Sequence, residues 1–282
     1  MVNYKSATPH TLYLDTAEDI NRLYKGGTLL TLLPPNSYVI CIYGSQSFLG
    51  RTNAEQNIVS LCSSSAIENI TGIKPRNKEQ HMLIDAILAK DIHLVIGAGT
   101  AGTGKTICSA GAALHLVTTR RYKKVVLTKP MTMVGNKGGL AAVPGDIQEK
   151  FAPYLINFTT NFEALINKTY IKEWLTNGTL EYMPYQLMLG ASYHNTLIIV
   201  DEAQNMTRAE MKLLCTRPGE GSKVLLLGDL EQIHEKEAKN MDNNGMYLLM
   251  EDQRIVNSPI TAMINLVKGE RSELANLIAE VL

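Results

Sequence analysis

Gly99-Thr100-Ala101-Gly102-Thr103-Gly104-Lys105-Thr106 has the G-x-x-x-x-G-K-T spacing of a phosphate-binding loop. His93-Leu94-Val95-Ile96 before it reads as a buried strand, and Ile107 to Leu114 after it as the start of an apolar, Ala-rich helix. Glycines let backbone N–H groups turn inward around phosphates, and the helix N-terminus adds its positive dipole end. Lys105 supplies a point charge for the β- and γ-phosphates, and the Thr106 hydroxyl is a ligand for Mg²⁺. Gly99 to Thr106 are therefore the candidate nucleotide-binding residues. A tight strand-to-helix turn with a surface lysine would have the same glycines, but not this spacing between this strand and this helix.

Working outward, a second stretch has the complementary chemistry. Thr196-Leu197-Ile198-Ile199-Val200-Asp201-Glu202-Ala203-Gln204 is an apolar strand that ends in paired acids. In this pattern Asp201 orients the Mg²⁺ ion or its water. Glu202 is the natural group to align and deprotonate a water attacking the γ-phosphate. A third strand ends in Gly228-Asp229-Leu230-Glu231-Gln232, where Gln232 is placed to sense the γ-phosphate. Upstream, Pro75-Arg76-Asn77-Lys78-Glu79-Gln80 precedes an apolar helical pattern. The paired donor and acceptor of Gln80 suit an adenine edge, and the same residues equally suit a capped helix start.

The strand candidates are His93–Ile96, Lys124–Thr128, Leu197–Val200 and Val224–Leu227. They alternate with helical patterns, which predicts an α/β fold with a mainly parallel sheet and chemistry at the carboxyl ends of the strands. Residues 1–70 differ in texture and read as a small N-terminal α+β segment. Asp15-Thr16-Ala17-Glu18 starts a helix, Gly26-Gly27 stops it, and Tyr38–Tyr43 and Ser47–Arg51 flank a turn at Gly44-Ser45. Residues 71–282 form the second unit. Its tail reads as two amphipathic helices. One begins at Ser258-Pro259 with Ile260, Met263, Ile264 and Val267 in register; the other is capped by Ser272.

The 282 residues are 45% apolar and 19% charged, with 27 basic and 27 acidic side chains. That balance provides no bulk field for nucleic acid, although one local groove would suffice. Cys41, Cys62, Cys108 and Cys215 are scattered, which fits a reduced compartment and points to neither zinc nor disulfides. The N-terminus lacks a signal-peptide core, and no apolar run is long enough to span a bilayer. The expectation is a cytoplasmic protein with no membrane partner.

Several strings together resemble the PhoH-like ATPases. They are Gly72 to Gln80, the phosphate loop, Leu127-Thr128-Lys129-Pro130, Pro144-Gly145-Asp146, Asp201-Glu202-Ala203-Gln204, Gly221-Ser222-Lys223, Gly228 to Gln232, and Gly269 to Ala275, in that order. The resemblance implies a RecA-like P-loop core related to superfamily-one helicases. It also implies hydrolysis of ATP with Mg²⁺ and assembly into homo-oligomeric rings, with a hexamer favoured, that act on single-stranded RNA. Larger members carry a PIN ribonuclease domain at the N-terminus. A fold of that kind needs on the order of 100 residues, so its nuclease activity is not expected here.

One argument is independent of the resemblance. Residues 71–282 hold one α/β core, whereas a monomeric helicase closes two such cores around its nucleotide. A neighbouring subunit is the expected source of the missing wall, with an arginine reaching across to the transferring phosphoryl group. Arg254 is favoured, and Arg217 and Arg271 are rivals. Lys129, Lys137 and the segment 135–145 are positioned either to face an RNA strand or to form a surface loop. The alternative function is a regulatory ATP-binding module that switches a protein partner without moving on RNA. A small-molecule kinase is disfavoured, because Glu202 and Gln232 suit attack by water.

Overall fold

The computed structural model describes residues 7–130, 152–188 and 190–270, in which the strand candidates resolve into two sheets. The N-terminal unit runs β1 (His10–Tyr13), α1 (Ala17–Tyr24), β2 (Leu29–Leu30), β3 (Tyr38–Tyr43), β4 (Gln46–Thr52) and β5 (Asn57–Ser60). Thr16 caps α1 by accepting from the Asp19 N–H at 3.2 Å. The expected turn closes the β3–β4 hairpin, with Tyr43 opposite Gln46 and Gly44 in the left-handed region at φ 56°. Ile20, Leu23, Val39, Cys41, Phe48 and Ile58 form a small core of the unit's own, between α1 and the sheet.

The larger unit follows as α2 (Ser65–Thr71), α3 (Lys78–Leu88), β6 (Leu94–Gly99), α4 (Lys105–Thr118), β7 (Lys124–Thr128), α5 (Ile156–Leu165), α6 (Lys168–Thr176) and β8 (Leu180–Tyr182). It continues through β9 (Thr196–Val200), α7 (Arg208–Cys215), β10 (Lys223–Gly228), α8 (Gly245–Glu251), α9 (Gln253–Val256) and β11 (Thr261–Leu266). The strand order is β11-β6-β10-β9-β7-β8, and every pairing is parallel. The phosphate-loop strand β6 lies inside the sheet, between β11 and β10, in an α/β arrangement.

Parallel strands covered on both faces read as continuous apolar runs because each face meets a layer of helices. Alternation along the strands sorts the side chains. Val95, Val125, Leu127, Leu197, Ile199, Leu225 and Leu227 face the layer of α3, α4, α5 and α6. Ile96, Val126, Ile198, Val200, Val224 and Leu226 face α7 and α8. Each fully buried aliphatic side chain contributes roughly 1.5–3 kcal/mol. Among the described residues, no helix is long and apolar enough to cross a membrane.

The expected helix after Ser258-Pro259 is a strand instead. β11 pairs with β6 from Thr261↔Leu94 to Leu266↔Gly99, and Thr261, Ala262, Met263, Ile264 and Leu266 are buried. A short apolar run buried on both faces carries no period of its own, so spacing at i, i+3 and i+4 fits it by accident. Two further expected features, the helix capped by Ser272 and the segment 135–145, lie outside the described residues, as do Lys137 and Arg271.

The N-terminal unit is joined to the core by a buried polar junction. Tyr38 Oη donates to Met82 O and to Asp85 Oδ2, both at 2.8 Å, and Arg51 Nε donates to the same Oδ2 at 3.1 Å. Asp85 Oδ1 accepts from the Cys62 N–H at 2.6 Å. Asn36 Nδ2 reaches Pro259 O and Thr261 O at 2.8 and 2.9 Å, and Asn36 Oδ1 accepts from Arg51. A buried carboxylate paired in this way costs about 3–5 kcal/mol when its cationic partner is removed. The junction therefore locks the N-terminal unit onto α3 and the start of β11.

Candidate nucleotide-binding site

β6 continues three residues further into the glycine run than the apolar pattern suggests, and Gly99 is its last residue at φ 146°. A Cβ there would lie 2.2 Å from Leu266 O, so only glycine lets β6 and β11 stay paired to their ends. The loop turns through Gly102 and Gly104, both with positive φ, and Lys105 opens α4. Thr103 is fully buried and its hydroxyl donates to Thr100 O at 2.9 Å, which closes the loop on itself. Lys105 Nζ donates to Gly99 O at 2.5 Å and Thr100 O at 2.8 Å, so its charge is held on the loop.

The loop borders a cleft of about 1120 Å³ whose lining includes Gly102, Gly104, Lys105 and Thr106 together with Asp201, Glu202, Asp229 and Gln232. The structure thus brings together the lysine, the hydroxyl, both acids and the glutamine singled out from the sequence. Asp201 follows β9 and its N–H donates to Thr128 O at 2.9 Å, at the end of β7. Burial first, and the charge of Glu202 second, push the Asp201 carboxyl up to about 6, against the pull of Lys129 and Lys105. Lys129 therefore acts electrostatically on this acid.

Glu202 has left-handed backbone angles, φ 55° and ψ 35°. A residue with a side chain pays on the order of 1 kcal/mol or more to be held there, and such conformations gather at functional sites. Asp229, after β10, accepts from the Glu231 N–H with Oδ1, while its buried Oδ2 has no hydrogen-bond partner among the described residues. The half-buried Asp201 carboxylate and the buried Asp229 carboxylate, with a threonine hydroxyl at the first turn of α4, are hard oxygen donors of the kind that suit a Mg²⁺–triphosphate group. The residues fit that group. No cluster of three or more His, Cys, Asp and Glu that could hold a metal ion by itself occurs among the described residues, so the fit is for a metal shared with phosphate oxygens.

Gln80 is both a capped-helix residue and part of the site's frame. Asn77 caps α3 by accepting from the Gln80 N–H at 2.9 Å. The Gln80 side chain is 4% exposed, accepts from the Arg76 N–H at 2.9 Å and donates to Thr103 O at 3.1 Å. Each end of its amide thus has a partner in the chain, and Gly104 leaves the room for it: a Cβ would lie 2.6 Å from Gln80 Nε2. The amide braces the phosphate loop, and Gln80 also lines the cleft.

Of the arginines among the described residues, only Arg76 lines the cleft. Arg254 lies on the short helix α9, not beside the expected helix, and its exposed guanidinium pairs with Asp252 at 2.5 and 3.0 Å. Arg217 donates to Leu213 O and Thr216 Oγ1. Neither reaches the phosphate end of its own chain's cleft.

One residue that sequence reasoning quoted but did not single out is central to the geometry. Gln204 is fully buried, and its amide contacts Glu202, Asp229 and Gln232. Its signal in the sequence was its place two residues after the paired acids. An amide there has no reason to be buried unless it has partners.

The family model described as PhoH-like protein matches residues 72–282. The chain is similar to Protein PhoH2 of Bacillus subtilis, with 39% identity over 220 residues that cover 76% of this chain and 49% of the relative. It is also similar to Protein PhoH2 of Mycolicibacterium smegmatis, with 30% identity over 270 residues that cover 94% and 60%. The chain thus spans about half to three fifths of the length of these relatives. Among solved structures, the Pif1 helicase from Candida albicans aligns over 74% of this chain and 43% of that one, at 14% identity and a TM-score of 0.40.

Proposed function

The chain belongs to the PhoH-like family, and on that premise we propose that it hydrolyses ATP with Mg²⁺ as an oligomer acting on single-stranded RNA. The observation that carries the hydrolytic part is the convergence of Lys105, Thr106, Asp201, Glu202 and Gln232 on one cleft. RNA as the partner and the oligomeric state rest on the family resemblance. A neighbour's arginine rests on the single α/β core, and among the described residues Arg254 and Arg217 lie away from their own chain's cleft.

In this reading Lys105 leaves the loop carbonyls for the β- and γ-phosphates, and the loop N–H groups bind the remaining oxygens. Thr106 and Asp201 would hold Mg²⁺, which supplies counter-charge to the phosphate oxygens. Glu202 accepts the proton of the water that attacks the γ-phosphorus, the bond to the β-phosphate oxygen breaks, and ADP and phosphate leave. Gln232, on the loop after β10, registers the presence of the γ-phosphate. Arg254 of a neighbouring subunit stabilises the charge on the transferring group.

The test combines three measurements on one preparation: ATPase rate with and without single-stranded RNA, displacement of a labelled strand, and solution mass. RNA-stimulated turnover by an assembly that displaces a strand is the expected result. ATP turnover indifferent to RNA would leave a nucleotide-dependent switch for a protein partner, and absence of turnover would remove the hydrolytic reading.

A further inference from the structure

We infer that Gln204 is a positioning residue for hydrolysis, whose amide fixes the Glu202 carboxylate and ties it to the segment carrying Gln232. The inference rests on the reading of Glu202 as the group that orients the attacking water.

Gln204 Nε2 donates to Glu202 Oε2 at 2.7 Å and to Gln232 O at 3.1 Å, which uses both of its hydrogens. Oε1 accepts from the Asp229 N–H at 3.1 Å. The amide cannot be turned over in this setting. Exchanging its ends would set an oxygen against two acceptors and an NH₂ group against a donor. Three contacts therefore specify one orientation, and that orientation aims a hydrogen at the carboxylate of Glu202.

The rest of the fold holds Gln204 in place. It sits in the short turn Ala203–Asn205 directly after Glu202, and its backbone O accepts from Asn244 Nδ2 at 2.8 Å. Asn244 in turn caps α8 by accepting from the Tyr247 N–H at 2.9 Å. Gly228 at the end of β10 provides the space: a Cβ there would lie 2.7 Å from Gln204 Oε1 and 3.0 Å from its N. A glycine at this strand end is required by the glutamine that packs on it.

The chemical consequence follows from what Glu202 has left. With Oε2 committed to Gln204, Oε1 is the oxygen available to a water, and its direction is set by a left-handed backbone and an anchored second oxygen. The same amide grips Gln232 O, so the residue facing the γ-phosphate and the residue facing the water share one support. Misplacing a reacting group by about 1 Å can cost on the order of 100-fold in rate. Loss of the amide should therefore lower kcat and leave nucleotide affinity nearly unchanged, because Lys105 and the loop bind the phosphates without it.

The experiment uses the full chain with Gln204→Met and Gln204→Glu, each alone and combined with Glu202→Gln. Gln204→Met keeps the volume and removes all three bonds. Gln204→Glu keeps the acceptor for the Asp229 N–H and replaces the donor to Glu202 with a charge. Single-turnover hydrolysis, binding of a fluorescent ATP analogue and thermal melting are measured for each. The expected result is a kcat lowered about 10- to 100-fold in both variants with analogue affinity within about 3-fold. In the Glu202→Gln background the same substitutions should change the residual rate by less than about 3-fold, since a residue that acts through Glu202 has little left to act on. Turnover within 2-fold of wild type, or a loss carried undiminished into the Glu202→Gln background, overturns the inference. Failure of both variants to fold would assign Gln204 a structural role only. If the wild-type chain does not hydrolyse ATP, the reading of the site falls first; a wild type that turns over beside unaffected variants removes Gln204 alone.

Discussion

Replacing Lys223 with methionine should destabilise the protein by about 2–4 kcal/mol at pH 7, and by more at higher pH. Lys223 opens β10 and is fully buried. Its Nζ donates to Ala86 O at 2.9 Å and to Ile87 O and Ala89 O at 2.7 Å each, at the carboxyl end of α3. Arg121 donates to Leu88 O beside them. These are the carbonyls a helix end leaves without intrahelical partners. Stranding three of them at about 1–3 kcal/mol apiece sets the upper range, and the desolvation of the amine that methionine relieves brings the net down. Burial, with Arg121 next, lowers the Lys223 amine to about 7. The unfolded chain keeps that proton up to the ordinary lysine range near 10.5, so between these values the unfolded state binds more protons and stability rises with pH. The slope approaches about 1.4 kcal/mol per pH unit, so the gap between wild type and variant should widen by about 2 kcal/mol from pH 7 to pH 8.5. Denaturant unfolding of both proteins at the two pH values reads this directly, because the contributions of all other groups cancel in the difference. A variant as stable as wild type would refute the capping role, and a gap that does not move with pH would refute the lowered amine.

Lys105→Ala should abolish nucleotide binding or turnover, since the phosphates lose their main protein cation; a fluorescent-analogue titration and a wild-type ATPase rate would remove the loop assignment. Asp201→Asn should weaken Mg²⁺-dependent binding, whereas Glu202→Gln should retain ATP and lose hydrolysis, because a neutral amide cannot take the water's proton. Normal turnover in Glu202→Gln would mean that another group activates the water. Arg254→Ala should cost about 10³-fold in rate if the arginine acts across an interface. Mixing it with Glu202→Gln subunits should then restore part of the activity, and no recovery despite demonstrated co-assembly would clear Arg254 of the role.

The chemistry of the site was legible because it depends on residue types at short, fixed spacings. Gly99 to Thr106, Asp201-Glu202 and Gly228 to Gln232 each follow a strongly apolar run, and each ends at the same edge of the sheet. The supports of that chemistry were not legible, because they are hydrogen bonds between residues far apart in sequence. Gln80 reads as a candidate base reader or a helix cap, and nothing in its spacing shows that its amide lies between Arg76 N and Thr103 O. Lys223 reads as a polar residue before a strand, yet it caps a helix 134 residues upstream at its nearest carbonyl. β11 was misread for a different reason. Its identity as a strand is settled by β6 alongside, and Asn265 within it is opposite Ala98 rather than on a polar helix face.

The parallel register explains why so few residues suffice to build the cleft. Thr128 and Leu226 are both opposite Val200, and Gly228 is opposite Ala98. The residues that follow β7, β9 and β10 therefore emerge together, beside the loop that follows β6. Lys129, Asp201-Glu202 and Asp229 to Gln232 need no long excursions to meet Lys105. Such an edge buries acids and sets them beside one another, and the Asp201 carboxyl rises through burial first and the charge of Glu202 second. The fold answers it with rigidity. α3 is pinned at one end to the phosphate loop through Gln80 and at the other by Lys223. The turn after β9 is pinned to the loop after β10 through Gln204. These braces are buried side chains with partners on separate elements, and Gln204 and Lys223 donate to two and three acceptors respectively, which opposes a geometry in which the acids move apart. The strain of bringing them together is thereby kept at the edge where a Mg²⁺–triphosphate would relieve it.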